Sequence, residues 1–96
     1  NIYRALEYYY KALKIRELTN DSSGIVGSLN NIALICELQE EFDEALKNYI
    51  LCKDINIRAN DKFKLAIALN NIGHIYSVKM EYKKALEWIF WGGPFF

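Results

Sequence analysis

Histidine, methionine and proline each occur once in these 96 residues, and cysteine only twice. Two thiols, Cys36 and Cys52, make neither a disulfide framework nor a zinc site, which needs more ligands at closer spacing. The lone histidine, His74, has no Cys, Ser or metal ligand at a meaningful distance along the chain, so no nucleophile, base and orienting group can be assembled. Gly24 and Gly27 lack the Lys-Ser/Thr that a phosphate-binding loop requires. These absences predict a protein that is not an enzyme and needs no metal or cofactor. Twelve basic and twelve acidic residues cancel, and no Lys/Arg cluster of useful size occurs. That removes the general attraction to nucleic acid or to an anionic membrane. The longest uncharged run, Ser22 to Cys36, contains Ser and Asn and is too short to cross a bilayer. No signal peptide is visible, and the chain begins without Met, which reads as a fragment or a processed product.

What the chain does have is repetition. Leu29-Asn30-Asn31-Ile32 returns forty residues later as Leu69-Asn70-Asn71-Ile72. Ala5-Leu6, Ala45-Leu46 and Ala85-Leu86 keep the same interval, as do Asn20-Asp21 and Asn60-Asp61. Fixed periods of 20–50 residues mark stacked repeat architectures. An apolar fraction of 52%, with seven Tyr, five Phe and two Trp, argues against disorder. Within each period the apolar spacing is i, i+3, i+4, i+7, that of an amphipathic helix. Ile2, Leu6, Tyr9 and Leu13 form such a stripe over residues 1–18. Leu29, Ile32, Ala33 and Cys36 continue it from about Gly24 to Gln39, and Phe42, Ala45, Leu46, Tyr49 and Cys52 from Phe42 to about Arg58. Leu65, Leu69, Ile72 and Tyr76 follow Asn60-Asp61, and Tyr82, Ala85, Leu86 and Ile89 open a last helix that should stop at Gly92-Gly93-Pro94. The expectation is all-α, about five helices joined by short turns and packed as antiparallel pairs. Glu40, Glu41, Asp43 and Glu44 then stand at a helix start, where negative charge complements the macrodipole. In this alignment Cys36 matches Tyr76 and Cys52 matches Ala12. Both thiols are therefore expected buried and reduced, which suits a reducing, cytoplasmic setting.

Phe42-x-x-Ala45-Leu46-x-x-Tyr49 and Tyr82-x-x-Ala85-Leu86, each preceded by Leu-Asn-Asn-Ile and a small residue (Ala33, Gly73), resemble the tetratricopeptide repeat. The period of forty is longer than the commonest 34, and is similar to a long-repeat subgroup that includes kinesin light chains and bacterial signalling regulators. The resemblance covers residues 1 to about 90. It implies an α-solenoid, a right-handed superhelix of helix pairs. Residues 1–18 would be the second helix of a preceding repeat, 24–58 one repeat and 61–91 another with a truncated second helix. The extra residues would lengthen the helices around Ile55 to Lys64. Residues 92–96 would form an aromatic tail to the 1–91 array. Glu40 and Met80 depart from the glycine that many members carry at the turn.

The resemblance also implies a function. First helices of each repeat line a concave face, where Asn30, Asn31, Asn70 and Asn71 would contact the backbone of an extended peptide, since Asn offers both donor and acceptor. Leu34, Ile67 and His74, one turn away, would complete a groove of mixed polarity, short of positive charge. A protein–protein interaction module is thus expected. The alternative is a structural element that dimerises through its terminal helices. Ile2, Leu6, Tyr9 and Leu13 would be partly exposed at one end, and Trp88, Phe90, Trp91, Phe95 and Phe96 would add an apolar patch at the other.

Overall fold

A computed structural model of the chain describes residues 1–93. Five helices follow one another in this range: α1 (Ile2–Leu18), α2 (Ser22–Leu38), α3 (Phe42–Arg58), α4 (Lys62–Val78) and α5 (Tyr82–Trp91). Successive helices start twenty residues apart, so the forty-residue period of the sequence is two half-periods in space. The first four helices each have 17 residues. The additional length over a shorter repeat is therefore shared by all of them and not confined to Ile55–Lys64.

All four turns use one geometry. Asn20, Glu40, Asn60 and Met80 adopt φ of 59°, 58°, 54° and 62°. At the first of them the Asp21 amide donates to Arg16 O at 2.9 Å and the Asn20 amide to Glu17 O at 3.2 Å. The same pair of bonds recurs at the other three turns, satisfying carbonyls that a helix C-terminus otherwise leaves unpaired. Asparagine enters this left-handed conformation readily, whereas at Glu40 and Met80 it costs roughly 1 kcal/mol each. The residue after each left-handed position is already the N-cap of the next helix. Asp21 and Asp61 accept from the amides of Gly24 and Lys64, both at 3.0 Å. Glu41 and Glu81 make no such bond, their longer side chains being poor caps. Because Asp21 caps, α2 begins at Ser22, two residues before the start that the apolar spacing predicts.

Three-residue turns return the chain antiparallel, and each helix backbone packs only on its neighbours in sequence. The result is a two-layered slab of 36 × 31 × 18 Å, its least dimension matching two helix layers about 10 Å apart. The core runs between the layers. Its larger cluster joins Ile32, Ala33 and Cys36 of α2 to Ala45 and Tyr49 of α3, Ile72 and Ile75 of α4, and Trp88 of α5. A smaller one gathers Val26, Leu29, Cys52 and Ala68. Both cysteines are buried and free, and burial pushes the Cys52 thiol up to about 12.

The two ends meet the sequence expectation in part. No α1 residue is fully buried, yet Leu6, Tyr9 and Leu13 pack against the core. The more exposed apolar side chains of α1 are Tyr3, Tyr8, Tyr10, Ile15 and Leu18, together with Ile2. At the other end Trp88 belongs to no surface patch. It is 9% exposed, stacked on Tyr76 with ring centroids 6.4 Å apart, and the Lys53 ammonium lies 5.4 Å from the ring centroid. Phe90 does face solvent. α5 ends at Trp91 because Gly92 turns left-handed, with φ of 72°, where a side chain would be strained. Phe95 and Phe96 lie outside the described residues.

Candidate functional site

α2 and α4 form one layer, and their facing sides are joined at both ends. At one end the Lys64 ammonium donates to Ser23 Oγ at 2.9 Å. At the other, His74 Nε2 lies 3.7 Å from Glu37 Oε2. Ten residues of α4 separate these contacts, a groove about 15 Å long at 1.5 Å per helical residue. That matches an extended segment of roughly four or five residues at about 3.3 Å each. α3 lies behind it and supplies the floor. Within it is a cleft of about 350 Å³ lined by Ser23, Val26, Gly27 and Asn30 of α2, Asn56 of α3, and Lys64, Ile67 and Ala68 of α4.

Helical register sorts the seven residues predicted from sequence. Asn30 and Ile67 line the cleft itself. Asn71 follows Ile67 and Ala68 by one turn on the same face of α4. His74 and Leu34 extend the two walls toward Glu37, His74 being largely exposed and Leu34 about half exposed. Asn31 falls elsewhere. It shares a face with Gly24 and Ser28, which receive hydrogen bonds from Arg16 of α1. Asn70 continues the exposed row of Phe63 and Ala66 on the far side of α4. The groove thus gathers five of the seven, and the paired asparagines split, one on each side of their helix. Asn30 also has a partner within the chain, its Oδ1 accepting from the Cys52 thiol at 3.5 Å.

Lys64 corrects the expectation of a groove short of positive charge, since it brings an ammonium to the cleft's edge. Asn56, near the end of α3, is absent from the sequence reading because α3 is not a first helix. The signal available was its register: forty residues earlier stands Arg16, another polar residue on an otherwise packed face. A second polar feature joins groove to core. Tyr49 OH donates to Glu37 Oε1 at 2.7 Å, so the carboxylate facing His74 is held from behind by a buried ring.

The tetratricopeptide repeat family model matches residues 24–89. The chain is a tetratricopeptide repeat protein. No curated protein and no solved structure matches it. The matched span takes in nearly all of α2, then α3, α4 and most of α5, and so every groove residue named above except Ser23. Tetratricopeptide repeats are generally protein–protein interaction modules and typically non-enzymatic scaffolds. Among the described residues of this repeat protein, no cluster of His, Cys, Asp and Glu is arranged to hold a metal ion. None of its described helices is long and apolar enough to cross a membrane.

Proposed function

We propose that this chain is a non-enzymatic module that binds an extended peptide segment of a protein partner along the α2–α4 face. Residues 24–58 and 61–91 would act as its repeats, with 1–18 as the second helix of a preceding one. The observation that carries the reading is the open groove whose two walls present Asn30 and Asn71 beside Ile67, Leu34 and His74. Amides can pair with a peptide backbone of any sequence, and the apolar residues between them reward side-chain burial. A cytoplasmic, signalling role is part of the proposal, supported by two buried thiols that remain unpaired. Random dodecapeptides displayed on a carrier and selected on the purified chain supply the test. Peptides so obtained should lose at least tenfold in affinity on replacing Ile67 and Asn71 together with Ala, about 1.4 kcal/mol or more. The fold should persist, because both residues are at least partly exposed. Undiminished binding would move the site off this face.

A second reading is self-association through the terminal helices. It is favoured by the solvent-facing Tyr3, Tyr8, Ile15 and Leu18 of α1 and Leu86, Ile89 and Phe90 of α5. Light scattering over a range of concentrations should then give a mass that rises from 11.2 kDa toward twice that value. A constant monomer mass removes this reading.

A further inference from the structure

The cleft between α2 and α4 contains a group that the fold leaves unsatisfied. Asn56 is 3% exposed, and its Nδ2 is a buried donor without a hydrogen-bond partner among the described residues. Folded proteins pair nearly all such groups, so an exception calls for a reason. The same register position one period earlier shows how the chain satisfies a donor there. Arg16 reaches from α1 to α2, its Nη1 donating to Gly24 O and Ser28 Oγ, each at 2.9 Å. The counterpart of Ser28 in α4 is Ala68, which offers no side-chain acceptor. A donor consumed inside the chain between α1 and α2 is therefore spare between α3 and α4.

The surroundings of that donor restrict what it could meet. Lys64 is the single charged residue lining the cleft, and no carboxylate lines it. Val26, Ile67 and Ala68 supply apolar wall. The terminal torsion of an asparagine is roughly two-fold, so its amide N–H can turn to the cleft without moving α3. We propose that this cleft is a subsite for an aspartate or glutamate side chain of the bound peptide. The carboxylate accepts from the Asn56 amide and pairs with the Lys64 ammonium, while its methylene stem lies on Val26 and Ile67. Charge-assisted bonds of this kind are stronger than neutral ones, and here they form in a recess partly screened from water. The inference rests on the peptide-groove reading above and adds to it the preferred residue type and the two side chains that select it.

The dodecapeptide library tests this when the peptides are displayed with their C-termini fused to the carrier, so that no terminal carboxylate is free. Selected sequences should carry Asp or Glu at one fixed position. In synthetic peptides with amidated C-termini, changing that residue to Asn or Gln should weaken binding to the native chain at least tenfold. It should matter less than twofold to the Lys64→Met and Asn56→Leu chains. Asn56→Leu should keep or raise the melting temperature, since it removes an unpartnered donor, and Lys64→Met alters only a half-buried side chain. Peptides bound equally with and without the acid, or an acid preference that survives both variants, overturn the subsite. If those peptides still lose affinity on Ile67→Ala/Asn71→Ala, the groove reading stands without it. A selection that enriches no sequence overturns both.

Discussion

Tyr49→Ala should lower the unfolding free energy by about 3–5 kcal/mol, the range for deleting a buried aromatic ring. Tyr49 is 1% exposed and belongs to the larger core cluster, which draws residues from the helices on both sides of α3. Its phenol is held up from the ordinary tyrosine value by burial, and secondarily by the hydrogen bond to Glu37. Domains of this size have only about 5–15 kcal/mol in total, so the variant should melt tens of degrees lower or be unfolded at 37 °C. Tyr49→Phe separates ring from hydroxyl. It should cost about 1.5–2 kcal/mol, the lower part of the range for a bond to a charged acceptor, because Glu37 can still turn to His74 and to water. Tyr9 occupies the same register one period earlier but is only half-buried, and Tyr9→Ala should cost less than half as much as Tyr49→Ala. Urea titration of the three variants measures all of this. Equal losses at Tyr9 and Tyr49 would mean that packing against helices on both sides, which α3 has and α1 does not, is not what stabilises the middle of the stack.

The same dependence on neighbours explains what could be read from sequence. Apolar periodicity, the repeated Asn-Asp pairs and the recurring Glu41 and Glu81 locate five helices to within about two residues, because helix faces and turn chemistry are local properties. Ala33 and Gly73 are legible as close-approach positions for the same reason: each is followed, one turn of chain later, by Ala45 or Ala85 at the start of the partner helix. Contacts between helices two apart are a different matter. Lys64 meets Ser23, and His74 approaches Glu37, across forty residues or nearly so. No pattern within one helix announces such a pair. Asn56 is hidden more deeply, since an asparagine late in an amphipathic helix reads as solvated surface. Only the position of α4 encloses it. Trp88 errs in the opposite direction. Counted among the aromatics of a tail, it looks like surface, but the ring is covered once Tyr76 and Lys53 close over it.

The close approach at Gly73 sets the spacing between α4 and α5, and Gly73→Val should destabilise the fold by about 3 kcal/mol, toward the upper end of overpacking costs. A β-carbon there would lie 2.5 Å from Ile89 Cγ1, 2.9 Å from Ile89 Cδ1 and 3.2 Å from the Ala85 carbonyl oxygen. The first two contacts can relax, because Ile89 is 43% exposed and its side chain can swing outward. The third cannot, since a backbone carbonyl moves only with its helix. Valine adds two further carbons to this gap, and so must push α5 away from α4. Any gain in helix propensity over glycine is well under 1 kcal/mol and too small to compensate. Ala33 holds the equivalent place in α2 and is wholly buried against its own partner helix, so a single methyl is the most this register accepts. Adding Ile89→Ala to Gly73→Val should recover at least 1 kcal/mol by removing the flexible half of the obstruction, without full restoration, because the Ala85 carbonyl remains. A coupling of that size in a double-mutant cycle identifies Ile89 as the colliding group. Simple additivity would show instead that valine acts through the backbone alone.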